Sequence, residues 1–167
     1  MTNSAFFSAI RHPLKSRLFL LTNLPSALFS GLRVVEADTD HCAVTVPYKW
    51  FTRNPFRSTY FACLSMAAEM STGVLAMAAA NESQPPVSML VVRTEADYTK
   101  KATGRTTFRC TDGPAIREAI GKARSSGEPV TIRARSLGTN PAGEPVAEFF
   151  ITWSFKLKNH QSKNLRK

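Results

Sequence analysis

The chain of 167 residues is poor in the residues that build metal centres and disulfide frameworks, with 3 cysteines and 3 histidines. Cys42, Cys63 and Cys110 are isolated, odd in number and form no C-x-x-C. This pattern points to a reducing, cytoplasmic compartment and away from structural zinc. His12, His41 and His160 are scattered and lie near no acidic cluster, so no metal site is expected from them. Acidic residues are scarce too: 12 Asp or Glu stand against 22 Lys or Arg, for a net charge of +10. Such an excess suits an anionic small molecule, a nucleic acid or a membrane surface, and carries no information about fold. No aromatic-interleaved basic motif accompanies it, which sets nucleic acid aside.

A long apolar run near the N-terminus is also missing. Leu18 to Leu32 is uncharged and follows Arg11, Lys15 and Arg17, the basic-then-apolar order of a secretory signal. It is shorter than the roughly 20 apolar residues that span a bilayer. Thr22, Asn23, Pro25, Ser26 and Ser30 interrupt it, and no A-x-A site follows. The spacing predicts amphipathic helical segments over residues 4–11 and 14–29, broken near Pro13 and Pro25. Contact of this basic and apolar arm with a membrane stays open as an alternative.

With 43% hydrophobic and 20% charged residues, the chain is expected to be one soluble domain over residues 1–167, large enough for a real core. Its longest helical signal runs from Asn54 to Ala80. Between Tyr60 and Ala80 there is no Pro, one Gly and a single charge, Glu69. Ser58 or Thr59 is the expected N-cap, and the helix should stop by Asn81, before Gln84-Pro85-Pro86. A helix so rich in Ala, Ser and Gly lets other backbone approach closely, so a sheet curving around it is expected. A carboxylate in such surroundings needs either a partner or a task.

The remaining segments read mostly as strands. LRVVEAD and HCAVTVPYKW alternate around the Asp38-Thr39-Asp40 turn, and VSMLVVRTEADYTK, GRTTFRCTD, PVTIRARSL and EPVAEFFITWSFKLK follow the helix. AIREAIGKARSS, with Ile116 and Ile120 one turn apart, is a shorter helix. The fold class is therefore α+β: a helical arm over residues 1–30, about six antiparallel strands wrapped on one long helix, and a solvated basic tail over 158–167. A single wrapped sheet leaves an edge, which dimerisation commonly covers.

This layout resembles the hotdog fold of acyl-CoA thioesterases and dehydratases, and most of all the bacterial thioesterase-like family within that superfamily. The likeness extends to about Leu157 and includes the Pro25 to Val34 entry into the sheet and an Asn-initiated central helix. In hotdog thioesterases of the phenylacetyl-CoA type a pattern like N-x-x-G-x-x-H-G-G opens the helix, and an acid follows fifteen residues after the Asn. Asn54 and Glu69 stand at that separation. Arg57 falls at the first Gly, Tyr60 at the His, and Phe61 and Ala62 at the Gly pair.

Thioester hydrolysis needs a base or carboxylate nucleophile, plus donors aimed at the developing oxyanion. A helix N-terminus offers unpaired N–H groups, so Phe61 or Ala62 could serve as the oxyanion donor. Ser58, Ser65, Glu69 and Thr72 are spaced as one polar stripe that should face a cleft or a dimer seam. The resemblance implies Glu69 as base or nucleophile, Asn54 orienting water or substrate, Thr72 assisting across an interface, and Tyr60 and Ser65 lining the substrate path. It also implies an acyl-CoA or related thioester as substrate, a homodimer or dimer of dimers, and no cofactor beyond the coenzyme A of the substrate itself. Arg93, Lys100, Lys101 and Arg105 flank the Tyr98 to Ala102 strand exit and are candidates for its phosphates.

Each residue also has a plainer reading. Glu69 could pair internally with Arg57 or Arg93, and Asn54 could be a turn residue. Tyr60 could be a core aromatic, Ser65 and Thr72 could bond back within the helix, Cys63 could be an inert buried thiol, and the four cations could be a solvated strand end. The same resemblance allows a non-catalytic hotdog protein that binds acyl-CoA or a lipid-like ligand.

Overall fold

A computed structural model describes residues 3–158. The arm comprises three helices, α1 (Asn3–Arg11), α2 (Pro13–Asn23) and α3 (Pro25–Ser30). The expected breaks fall at Pro13 and Pro25, but each proline opens a new helix within its first turn, where its missing N–H costs nothing. His12 caps α2 by accepting from the Leu14 and Lys15 amides. After the arm come β1 (Arg33–Ala37), β2 (Cys42–Val46), a 3₁₀ turn (Trp50–Thr52) and the long helix α4 (Phe61–Glu82). The second half holds β3 (Val87–Tyr98), β4 (Thr106–Cys110), α5 (Gly113–Ser126), β5 (Val130–Thr139) and β6 (Pro145–Leu157). The basic tail expected at the C-terminus lies outside the described residues from position 159 onward.

The six strands form one antiparallel sheet in the order β1-β2-β4-β5-β6-β3. Alternation fixes which face each side chain takes. On β6 the odd-numbered residues Ala147, Phe149, Ile151, Trp153 and Phe155 are all buried, and the even-numbered residues from Glu148 to Lys156 are not. Register shifts between Val34 and Glu36 and between Val91 and Arg93 mark bulges, which add twist and help the sheet to curl. The curled face encloses α4, which packs against β2, β3, β4, β5 and β6.

At 22 residues α4 is about 33 Å long, and among the described residues it is the one helix apolar enough to cross a membrane. Two-thirds of its most apolar stretch (67%) is buried in the domain, as expected of a core helix. Its small residues allow close approach to the sheet, and its two fully buried polar side chains are paired. Ser71 Oγ meets Ser136 Oγ of β5 at 2.8 Å, and Trp153 Nε1 of β6 donates to Thr72 Oγ1 at 2.9 Å. Each large side chain buried here, such as Phe149 or Phe155, contributes about 1.5–3 kcal/mol.

Among the described residues β3 pairs only with β6, which leaves its other edge unpaired, and its Leu90 and Val92 are exposed.

Candidate active site

The helix entrance is built by a loop that Asn54 folds around itself. Its Oδ1 accepts from the Phe56 and Ser58 amides at 3.0 and 3.1 Å, and its Nδ2 donates to Ser58 Oγ at 3.1 Å. Arg57, at the tip, has φ 59°, the left-handed backbone that glycine adopts most easily. This is the position where the resembling pattern has its first Gly. Thr59 then donates its amide to Ala102 O at 2.8 Å and Tyr60 its amide to Thr52 O at 2.7 Å. These bonds tie the entrance to the strand exit and to the 3₁₀ turn.

The capping expectation needs correction. Tyr60, not Ser58 or Thr59, is the N-cap of α4, and no side chain caps it. Ser58 and Thr59 are diverted to Asn54 and Ala102 O. As a result the amides of Phe61 and Ala62 have no acceptor among the described residues, and they project from the positive end of a long helix dipole. An open cavity of about 740 Å³ lies there, lined by Asn54, Tyr60, Phe61, Tyr98, Lys100 and Lys101 among others.

Glu69 lies in a second place. Eight residues beyond Phe61 along α4, it is about 12 Å from the entrance. Its carboxylate lines a different cavity, of about 540 Å³, floored by Met70, Gly73, Val74, Met77 and Trp153 and roofed by the arm through Ile10, Phe19, Leu20, Leu24 and Leu28. Arg11, Arg17, Arg33 and Lys49 also line it, and Glu69 is its one acid. Neither expected internal partner is present. Arg93 pairs with Glu95 at 3.2 Å, Arg57 is exposed, and no hydrogen bond or ion pair reaches the Glu69 carboxylate among the described residues. Burial without a partner pushes the Glu69 pKa up from the ordinary carboxylate range.

The polar stripe expected on α4 is shorter than its spacing suggests, because Ser58 lies outside the helix. Thr72 is fully buried, donating to Glu69 O at 2.9 Å while accepting from Trp153. Its hydroxyl is thereby committed to holding the helix against β6. Ser65 lines neither cavity. Of the four expected cations, Lys100 and Lys101 stand at the entrance, with Lys100 bonded to Glu144 at 2.7 Å. Arg93 and Arg105 line neither cavity.

Tyr60 is exposed at the entrance and packs edge-on against Phe61 with ring centroids 4.8 Å apart, so it is not a core aromatic. Cys63 is buried, its sulfur 3.8 Å from Ser30 Oγ. Burial also pushes the thiols of Cys42 and Cys110 up, Cys110 to about 12, so both stay protonated and unreactive.

Sequence reasoning missed three features. It did not place the arm as the roof over Glu69, and it passed over Gly73 and Trp153. Gly73, four residues after Glu69, was the one visible signal, since a glycine inside a helix asks for a packing reason.

The family model described as a domain of unknown function (DUF4442) matches residues 18–155. The chain belongs to that family. No curated protein matches it. This DUF4442 chain shares its fold with several solved structures. A Pseudomonas aeruginosa protein of unknown function, described as a probable thioesterase, aligns with TM-score 0.74 and 19% identity over 90% of this chain and 99% of that one. A Chlorobaculum tepidum protein of unknown function aligns with TM-score 0.75 and 19% identity over 95% and 98%. A thioesterase from Haemophilus influenzae aligns with TM-score 0.63 and 15% identity over 86% and 92%. The chain thus has the hotdog fold.

Proposed function

We propose that the protein hydrolyses an acyl thioester, with an acyl-CoA as the substrate class. The observation that carries this reading is the unpaired, half-buried carboxylate of Glu69 opening into an apolar cavity. A carboxylate left without a partner in such a place costs free energy, and a base that accepts a proton in the reaction accounts for it. Glu69 takes a proton from water as the oxygen attacks the thioester carbon. The charge that develops on the carbonyl oxygen is met by free helix-entrance amides of the Phe61 and Ala62 kind. The C–S bond then breaks, the thiolate recovers the proton from Glu69, and a carboxylic acid and a thiol leave. The apolar cavity takes the acyl chain. Lys100 and Lys101 at the entrance, rather than Arg93 and Arg105, suit the phosphates of the nucleotide end.

Within one chain the base and the free amides are about 12 Å apart along α4, too far to serve one carbonyl. The site is therefore completed by a second copy, with β3 edges paired so that the entrance of one protomer meets Glu69 of the other. The unpaired, apolar edge of β3 supports this arrangement.

The test is a panel of acyl-CoA substrates of graded chain length with the wild-type chain and Glu69→Gln. Hydrolysis is expected, reduced by about 10²–10⁴-fold in the variant with the oligomeric state unchanged. Saturable acyl-CoA binding without turnover at any chain length would replace this reading with a non-catalytic acyl-CoA-binding role, which the Arg57, Tyr60, Phe61 and Ala62 entrance also fits.

A further inference from the structure

Helix α2 wears its apolar stripe on the outside. Leu14, Leu18 and Leu21, at i, i+4 and i+7, fall on one face, yet they are 70%, 63% and 53% exposed, while Leu20 on the opposite side is buried. A surface helix of a soluble domain normally turns such a stripe inward. The pattern has its own logic at the flanks. Lys15 and Arg17 project to either side of the leucines, about 100° and 60° around the helix from Leu14, and both are exposed. Neither has an ion-pair partner among the described residues. No Asp or Glu occurs before Glu36, so the arm itself carries no acid to offset them.

Other exposed apolar residues follow α2 in the chain. Leu24 joins α2 to α3 and is exposed, as is Phe29 on α3. The Phe29 ring lies 6.4 Å from Phe51, and Phe51 lies 6.5 Å from Trp50, the most exposed large hydrophobic residue among the described residues. On α2 itself, leucines flanked by unpaired cations form a surface that matches a bilayer interface. The leucines enter the acyl boundary and the cations meet anionic headgroups.

We propose that the arm docks the protein reversibly on an anionic lipid surface through the outward face of α2. Charge decides the occupant. A second copy of this chain would bring the same unpaired Lys15 and Arg17, and a net charge of +10, against themselves, whereas an anionic headgroup layer satisfies both. The inward side of the arm roofs the Glu69 cavity, so docking places that cavity beside the source of lipid-like acyl groups. Only this last consequence rests on the hydrolase reading; docking itself does not.

Co-sedimentation of the full chain with vesicles tests the proposal directly, using pure phosphatidylcholine and a mixture containing a third phosphatidylglycerol. Binding is expected to the mixed vesicles and to weaken with added salt. Lys15→Gln with Arg17→Gln should weaken it roughly 10- to 30-fold, from about 1 kcal/mol for each cation near the surface. Leu14→Ser with Leu18→Ser and Leu21→Ser should abolish it even at low salt. These side chains are exposed and line no cavity, so thermal stability should be retained, and the charge variant serves as an independent check. The proposal is overturned by equal binding to both vesicle types, by no binding to either, or by leucine variants that change the oligomeric state rather than the vesicle-bound fraction.

Discussion

Glu69 leans over Gly73, one helical turn ahead of it. A Cβ at Gly73 would lie 3.0 Å from Glu69 Oε1 and 3.3 Å from Trp153 Cζ2. The carboxylate therefore occupies space that exists because position 73 has no side chain, and the neighbouring indole is fixed in place by its bond to Thr72. The single glycine of α4 thus shapes the floor beneath the proposed base.

Gly73→Ala is expected to separate the role of this space from that of helix stability. Alanine gains about 1 kcal/mol in helix propensity over glycine, and overpacking costs about 1–3 kcal/mol. Thermal unfolding should accordingly change only modestly. The end of Glu69 can yield but Trp153 cannot, so the methyl group displaces the carboxylate. Hydrolysis is expected to fall more than about tenfold, as for a misplaced catalytic group. Unchanged turnover in a folded variant would show that Gly73 does not position Glu69.

The raised pKa of Glu69 makes a pH prediction whose sign is fixed by linkage. Between its ordinary value of 4.5 and its higher folded value, the folded state holds a proton that the unfolded state has released. Stability therefore falls as pH rises through that window. Below it both states are protonated and the cost vanishes. Glu69→Gln, which stays neutral, should be more stable than wild type at neutral pH and lose that advantage as pH drops below about 4.5. Denaturant melts at several pH values measure this. An advantage that persisted at low pH would place its origin outside Glu69 ionisation.

The elements legible in the sequence were those with strong periodicity. The alternation of EFFITWSF fixes β6, and the charge-poor run around Glu69 fixes α4, since both patterns record burial directly. The expected separation of Asn54 from Glu69 was visible as well, but its meaning was not. Fifteen residues place the two in different cavities of one chain, which spacing alone does not reveal. The arm illustrates a different limit. Its leucines and cations were visible, yet periodicity gives the stripe and not the direction it faces, and only the packing of Leu20 shows that Leu14, Leu18 and Leu21 point outward. Nor does the sequence around Arg57 show that this residue takes a left-handed backbone, with φ 59°.

Asn54 offers the sharpest test of the helix entrance, because its side chain is engaged almost wholly within its own loop. Oδ1 accepts from two amides and from Ser58 Oγ, and Nδ2 donates to Ser58 Oγ. That engagement supports a proposed positioning role for the free Phe61 and Ala62 amides, set against direct contact of Asn54 with water or substrate in the cavity it lines. Asn54→Ala removes the acceptor that gathers the loop, so a stability loss of about 1–3 kcal/mol is expected, with turnover falling more than substrate affinity as the amides lose their aim. Asn54→Asp keeps an oxygen for both backbone amides, and its charge is favourable near a helix N-terminus. It should restore most of the activity. If Asn54 instead donated its Nδ2 hydrogen to water or substrate, Asp would fail as badly as Ala, and the kcat and KM of the two variants would distinguish the roles.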